Sequence, residues 1–279
     1  MNIKKKLSGY YYGHIYDTAL GCRLRKVVEK TPVAELRPFN TKAAISDLFV
    51  WRCDQEWETE FDLFNITSFV YPAESPRETC KVIIFNNEGG CIATHEFVLE
   101  PFEKRSLKLS ELVGDAKGLG TFAIFHHSTS VERYENFKSH LTERGYIAYS
   151  RRGETIRSFC HGNLQALSQA PDQKGFSYVA ATAAPMRYHP QLILSDSRKI
   201  ELIYTNPSPR SRDLLVNFFD KESRKIEERR INIPARSVRL IVVNNPDKEI
   251  HTFDNVGSIV MWRPVIKKYY ETHFDVMHG

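Results

Sequence analysis

Five histidines, His126, His127, His161, His273 and His278, are the residues whose type and spacing come closest to acid–base or metal chemistry. Successive side chains on a strand face opposite sides of the sheet, and so His126 and His127 cannot line one surface without a bulge. A zinc or iron site on a strand would need two histidines two residues apart and a carboxylate, a pattern that the sequence lacks. We therefore predict no metal ion and no cofactor, and we expect the imidazoles to bond to turn backbone.

The dipeptide Trp-Arg occurs twice, at Trp51-Arg52 and at Trp262-Arg263. On a strand it places an indole on one face and a guanidinium on the other. In a cleft the guanidinium could clamp a carboxylate or phosphate with two hydrogen bonds, and the indole could stack on a sugar or a base. The alternative, which we favour, has tryptophan in the core and arginine on the surface.

The phrase Glu-Thr, five residues, His-Gly occurs twice, and it pairs Glu154 with Glu271 and His161 with His278. These carboxylates and imidazoles could form the site of a hydrolase or isomerase, with or without a metal ion, in a cleft between the two halves. However, the sequence has no nucleophile elbow, zinc-protease helix, phosphate-binding loop, dinucleotide fingerprint or kinase motif. Catalytic residues are therefore not assigned, and a binding role is the prediction that we prefer. The predicted ligand-binding residues are Trp51, Arg52, Glu154, His161, Trp262, Arg263, Glu271, His273 and His278.

The elements that must position these residues are short runs rich in Val, Ile, Phe, Tyr and Thr, separated by Gly, Asn, Asp and Pro. Their spacing from residue 44 onward predicts antiparallel sandwiches and not alternating strands and helices. Asn87 to Gly90 predicts a hairpin turn, and residues 217–233 predict a second hairpin. Helices are expected only at residues 19–30, 131–144 and 161–170.

Matches between the two halves follow the same order along the chain, which predicts an ancient internal duplication. "EFDLFN" ending at Asn65 corresponds to "ELIYTN" ending at Asn206, and prolines Pro101 and Pro234 precede corresponding basic strands. We predict a mainly β fold of two tandem antiparallel β-sandwich domains with few short helices. The expected boundaries are a basic leader at 1–43, a first sandwich at 44–162, a connector with an extra strand at 163–190, and a second sandwich at 191–279.

Length and composition fit a folded protein, because 279 residues with 42% hydrophobic side chains can bury a sizeable core. The five cysteines are odd in number and never form a CxxC pair, which argues against a disulfide framework. The N-terminus has no apolar run after its lysines, and no stretch of about 18 apolar residues occurs. We expect a cytoplasmic protein without a membrane span.

The net charge of +5 is concentrated near the N-terminus, where residues 1–42 hold nine basic and three acidic residues. Such a segment could bind nucleic acid or an anionic surface, and this is a third functional hypothesis. The alternative is a solvated leader that packs along the body of the protein.

The stretch from Leu214 to Arg263, with its charged hairpin, Pro-Ala-Arg corner and final strand ending near an arginine, resembles the small β-sandwich family of sensory rhodopsin transducers. The whole chain also looks like uncharacterised tandem-sandwich proteins of bacteria. The resemblance implies a non-enzymatic, oligomeric binding or signalling module that recognises carbohydrate or another polar ligand. We therefore expect a binding or assembly protein that recognises a carbohydrate or anionic ligand and forms homo-oligomers.

Overall fold

A computed structural model describes residues 43–128, 142–143, 145–171, 174–178, 186–208, 210–257 and 263–278. The first eleven strands are β1 Ala44–Cys53, β2 Trp57–Phe64, β3 Glu78–Asn86, β4 Cys91–Leu99, β5 Lys104–Lys108, β6 Gly118–Ser128, β7 Thr142–Glu143, β8 Tyr146–Arg151, β9 Ser158–His161, β10 Asn163–Gln169 and β11 Ser177–Tyr178. The remaining strands are β12 Met186–Tyr188, β13 Lys199–Thr205, β14 Arg212–Phe219, β15 Lys225–Ile233, β16 Val238–Asn244, β17 Thr252–Gly257, β18 Val265–Tyr269 and β19 Phe274–His278. Two short helices are described, α1 Ile66–Val70 and α2 Leu109–Leu112.

The strands form four sheets. Sheet I has the order β11-β10-β1-β6-β3-β4, with β7 beside β1, and sheet II has the order β5-β2-β8-β9. Sheet III is β12-β17-β14-β15, and sheet IV is β16-β13-β18-β19. Neighbouring strands are antiparallel except at the two-residue strand β7. The predicted mainly β fold with antiparallel sheets is confirmed. Within the described residues, no helix is long and apolar enough to cross a membrane.

Strand order is the same in the two parts of the chain. The order β1-β6-β3-β4 in sheet I corresponds to β12-β17-β14-β15 in sheet III, and sheet II corresponds to sheet IV strand by strand. Turn geometry repeats as well, because three pairs of residues with positive φ are each 134 residues apart. These pairs are Gly89 and Ser223, Phe102 and Arg236, and Gly114 and Lys248. The common origin of the parts and the domain boundaries stay predictions.

Both predicted hairpins are present, as β3–β4 and β14–β15. The prediction of a helix at residues 161–170 is wrong, since this segment forms β10 and pairs with β1. Leu167 is buried there, and pairing with a neighbouring strand outweighs the local helical pattern. The predicted helix at 19–30 and nearly all of that at 131–144 lie outside the described residues, although Thr142–Glu143 is a strand.

Strands β1, β3 and β6 of sheet I are largely buried on both faces, which explains their continuous apolar runs, whereas the edge strand β4 is mostly exposed. Val82 and Ile84 of β3 belong to a cluster shared with sheet II, whereas Ile83 and Phe85 belong to a cluster shared with sheets III and IV. All four side chains are at most 4% exposed. The two parts of the chain therefore share buried apolar surface and stabilise one another.

Candidate functional site

The first Trp-Arg dipeptide lies on β1. The Trp51 indole is only 1% exposed, and its Nε1 donates a hydrogen bond of 2.9 Å to the carbonyl oxygen of Phe85. An indole with this burial cannot stack on a ligand, and it contributes to the core instead. Arg52 points to the other face of the strand, as the alternation of side chains requires.

Arg52 lies in a partly buried ion-pair network, and its pair with Glu201 joins the two parts of the chain. Its Nη1 lies 2.6 Å from Glu201 on β13, and its Nε lies 2.8 Å from Asp54 in the β1–β2 turn. Burial by itself would lower the pKa of Arg52. The hydrogen bond to Asp54 and the charge of Glu201 outweigh this effect, and the pKa is raised above its ordinary value. Glu201 also accepts hydrogen bonds from Tyr269 and from Lys199. Two carboxylates of the protein thus occupy the guanidinium that was predicted to clamp a ligand.

Beside this network lies Lys267 of β18, a fully buried lysine. Its Nζ has no hydrogen-bond partner among the described residues and lies 3.6 Å from the ring centroid of Trp57 and 4.4 Å from that of Tyr149. Burial, and then the nearby positive charge of Arg52, lower the pKa of Lys267 to about 7. Sequence reasoning missed this residue, since nothing in "VIKKY" marks either of the two adjacent lysines as buried.

His161 and His278, predicted from the repeated phrase, come together where β9 meets β19. Their ring centroids are 4.7 Å apart, and the hydroxyl of Ser158 bridges to the backbone of Val276. Nδ1 of His161 lies 3.2 Å from the carbonyl oxygen of Gly162, which is the contact with turn backbone that the sequence favours. The paired histidines therefore mark the junction between sheets II and IV.

Of the other predicted residues, those that the structure describes are dispersed over the surface. Glu154 lies 4.0 Å from Arg151, and Glu271 forms an exposed ion pair with Arg198. His273 stacks on Tyr270 with 4.4 Å between ring centroids. Arg263 is exposed, and Trp262 lies outside the described residues. In this structure Trp51 and Arg52 do not join the exposed residues of the set in one site.

A buried cluster on β3 and β6 contains residues that the sequence analysis did not connect. Nδ1 of His126 lies 3.2 Å from Sγ of Cys80 and 2.9 Å from Oε2 of Glu78, and its Nε2 lies 2.6 Å from Oε2 of Glu143. Burial alone would lower the pKa of His126, but bonds with Cys80, Glu143 and Glu78 raise it. Only the spacing of Glu78 and Cys80, two residues apart on one strand, hints at this cluster in the sequence.

A cleft of about 300 Å³ opens between the β1–β2 turn, the α2–β6 connection and the turn after β8. Arg152 stands at its edge, where its Nε donates to the carbonyl oxygen of Asp54 and its Nη2 lies 3.4 Å from Glu58. Lys117 is exposed and makes no ion pair with any described residue. The lining residues are Cys53, Asp54, Gln55, Ser110, Gly114, Ala116, Lys117 and Arg152.

The thiol of Cys53 and the carboxylate of Asp54, which line this cleft, are fixed by their contacts and are not chemically reactive. Burial and the nearby carboxylate of Glu58 raise the pKa of Cys53 to about 12, so its thiol is neutral near pH 7. Burial would raise the pKa of Asp54, yet hydrogen bonds from Arg52 and from the backbone N–H groups of Glu56 and Trp57 lower it. The cleft therefore offers fixed hydrogen-bonding groups and no reactive thiolate.

No family model matches the chain, and no curated protein matches it. Among solved structures it is similar to a β-glucuronidase from glycoside hydrolase family 2, with 10% identity, a TM-score of 0.18, and coverage of 83% of this chain and 23% of that one. A Bacteroides uniformis β-glucuronidase has 7% identity and a TM-score of 0.15 over 83% of this chain and 25% of its own. The chain thus spans about a quarter of these enzymes, and similarity this weak carries no functional argument. What the fold defines is a class, the mainly β proteins built from stacked antiparallel sheets.

Proposed function

We propose that this protein is a non-enzymatic binding protein that recognises a small anionic, hydroxyl-rich ligand, such as a sugar acid or sugar phosphate, in the cleft beside Arg152. The observation that carries the proposal is the presence of an exposed lysine, Lys117, and of Arg152 at a cleft whose one acidic lining residue, Asp54, is already paired with Arg52. A volume of about 300 Å³ is at the lower end of the range for small-molecule sites.

The charges at this cleft favour an anion. Arg152 uses Nε and Nη2 within the protein, which leaves Nη1 as a donor, and the ammonium of Lys117 has three donors. The side-chain amide of Gln55 is exposed and could bond to ligand hydroxyls. Charge-assisted hydrogen bonds to a carboxylate or phosphate are stronger than bonds between neutral groups.

A second cleft of about 350 Å³ has the opposite character. The described residues that line it include the carboxylates of Glu227, Asp247 and Glu249 and no basic side chain. An anionic ligand would be repelled there. This contrast supports the assignment of the ligand to the first cleft and not to the second, acidic cleft.

A binding role agrees better with the cleft than catalysis does. Cys53 is a neutral, buried thiol, and Asp54 already accepts bonds from Arg52 and from backbone N–H groups. Neither residue is therefore poised as a nucleophile or a general base. The enzyme hypothesis, nucleic-acid binding by residues 1–43 and homo-oligomer formation stay predictions.

The test is isothermal titration of the purified protein with a panel of hexuronates, aldonates and sugar phosphates, each compared with its neutral parent sugar. We expect at least one anion to bind more tightly than its parent. Lys117→Ala and Arg152→Ala should each weaken this binding about 10-fold, corresponding to one lost charge-assisted contact.

Lys221→Ala is the matched control, because Lys221 is an exposed turn lysine outside either cleft. Its removal should leave the affinity unchanged. The proposal is wrong if no anion in the panel binds, or if Lys221→Ala weakens binding as much as the two cleft variants do.

A further inference from the structure

We propose that Glu78, Cys80 and His126 form a buried binding site for a divalent metal ion of the zinc class, with Glu143 as the residue that orients the histidine. One atom of each ligand residue, among them Sγ of Cys80 and Nδ1 of His126, lies within 4.8 Å of the others. This site is independent of the surface cleft.

The strands create the site through their register. Glu78 and Cys80 are two residues apart on β3, so their side chains share one face of sheet I. His126 on β6 is the direct partner of Cys80 across the antiparallel pair. Three different donor types, a carboxylate, a thiol and an imidazole, therefore converge on one point without any sequence motif.

The distances suit three of the four positions of a tetrahedral coordination shell. Around a zinc ion with ordinary bond lengths, neighbouring nitrogen, oxygen and sulfur donors lie about 3.3 to 3.6 Å apart. Nδ1 of His126 is 2.9 Å from the Glu78 oxygen and 3.2 Å from the Cys80 sulfur. Shifts of a few tenths of an ångström would therefore open the cluster to accept the ion.

The surroundings of the ligands resemble those of metal ligands. Nε2 of His126 lies 2.6 Å from Glu143, and a carboxylate on the far nitrogen of a ligating histidine fixes the ring and strengthens the ligand. Oε1 of Glu78 accepts a hydrogen bond from the backbone N–H of Thr67, which leaves Oε2 facing the histidine. The positions of the imidazole of His126 and the carboxylate of Glu78 are thus each set by a second contact.

The burial of the cluster indicates a structural role. Glu78 and Cys80 have no exposed surface, and His126 is 4% exposed, so no substrate can reach the ion. The ion would hold β3 to β6 and, through Glu143, to the short strand β7. Metal bound only by the folded protein adds its binding free energy to folding stability.

Cobalt(II) is the probe, because a cobalt–thiolate bond produces a charge-transfer absorption band in the near ultraviolet. Purified full-length protein is stripped with a chelator and titrated with cobalt(II) and then with zinc(II). We expect the thiolate band to saturate at one cobalt per chain and zinc to displace it. Zinc should also raise the melting temperature.

Cys80→Ser should abolish the thiolate band, and Glu143→Gln should weaken zinc affinity about 10-fold or more. Cys160→Ser is the matched control, because Cys160 is a buried free cysteine outside the cluster. It should keep the band.

The wild-type titration decides the matter even if Cys80→Ser does not fold. Absence of a thiolate band in the wild type would mean that His126 is simply a hydrogen-bonded partner of two carboxylates, and the metal proposal would be wrong. A band that persists in folded Cys80→Ser would overturn it equally.

Discussion

The ammonium nitrogen of Lys267 on β18 lies 3.6 Å from the ring centroid of Trp57 on β2. The two residues come from different sheets and from the two parts of the chain, and both are fully buried. A desolvated cation over an aromatic face contributes about 2 kcal/mol, which offsets only part of the cost of burying a charge. Lys267 therefore connects the two parts while leaving their interface sensitive to proton loss.

Substituting this lysine should change how stability depends on pH. The pKa of Lys267 is about 7 when folded, whereas an unfolded lysine has about 10.5. Above pH 7 the unfolded chain holds a proton that the folded chain has lost, so this group raises the free energy of unfolding as pH rises. The contribution is up to about 1.4 kcal/mol per pH unit. In Lys267→Met the contribution should vanish, and the variant should gain relative stability below pH 7.

Urea unfolding at intervals from pH 6 to 8.5 measures this difference between wild type and Lys267→Met. The upper limit is chosen because Cys53 and Cys160, with pKa values raised by burial to about 12, contribute in the opposite sense at higher pH. Lys268→Met is the control, since Lys268 pairs with Asp196 and its pKa is raised despite burial. Identical pH slopes for wild type and Lys267→Met would contradict the prediction.

The ion pair between Arg52 and Glu201 should be strongly coupled. Arg52→Met leaves the carboxylate of Glu201, which is 1% exposed, without its closest cationic partner, and should cost about 3 kcal/mol of stability. Adding Glu201→Gln removes the buried negative charge that has lost this partner but keeps an acceptor for Tyr269. The double variant should therefore lose less than Arg52→Met alone. Denaturant unfolding of the wild type and the three variants measures the coupling, and purely additive losses would contradict it.

Asn65 and Asn206, which close corresponding phrases in the sequence, make equivalent bonds. Nδ2 of Asn65 donates to the carbonyl oxygens of Leu99 and Glu100, and Nδ2 of Asn206 donates to those of Ile233 and Pro234. Each amide also bonds one further carbonyl, and both side chains are fully buried.

Asn65→Ala and Asn206→Ala should each cost about 3 kcal/mol, because each removes three hydrogen bonds that a buried amide donates to backbone carbonyl groups. Asn→Asp at either position should cost more, since it places an acceptor against carbonyl oxygens. Asn87→Ala, in the exposed β3–β4 turn, is the control and should change stability by less than about 0.5 kcal/mol. Thermal unfolding compares the variants. If Asn65→Ala and Asn206→Ala are as stable as Asn87→Ala, these hydrogen bonds do not contribute to stability and the prediction is wrong.

The sequence predicts those features of the fold that depend on local pattern. Alternation and turn residues identify the hairpins, and the two copies of the repeated phrase end on β9 and β19, where His161 meets His278. The sequence comparison pairs Pro101 with Pro234, and this spacing is one residue shorter than the spacing of 134 residues between the corresponding backbone turns. A comparison of short sequence stretches cannot detect a shift of one residue. The hydrogen bonds of Asn65 and Asn206 do fix the correspondence, because they pair Leu99 with Ile233 and Glu100 with Pro234.

The candidate sites were not predictable in the same way, because they depend on contacts between distant strands. Cys80 and His126 meet through the register of β3 with β6, and these strands are separated in sequence by β4 and β5. Lys267 is buried because sheets II and IV meet at its side chain. Periodicity along one strand cannot report which residues a second sheet will cover.

The close approach of β6 to Trp51 leads to the last prediction. A Cβ atom at Gly120 would lie 2.2 Å from the carbonyl oxygen of Phe85 and 2.5 Å from Nε1 of Trp51, the two atoms of one buried hydrogen bond. Gly120→Ala should therefore destabilise the protein by about 3 kcal/mol and shift the tryptophan emission, since backbone or indole must move. Gly175→Ala has no atom within 4 Å of the added Cβ and should be nearly neutral. Urea unfolding followed by fluorescence tests both, and equal stability of the two variants would mean that β6 adjusts without cost.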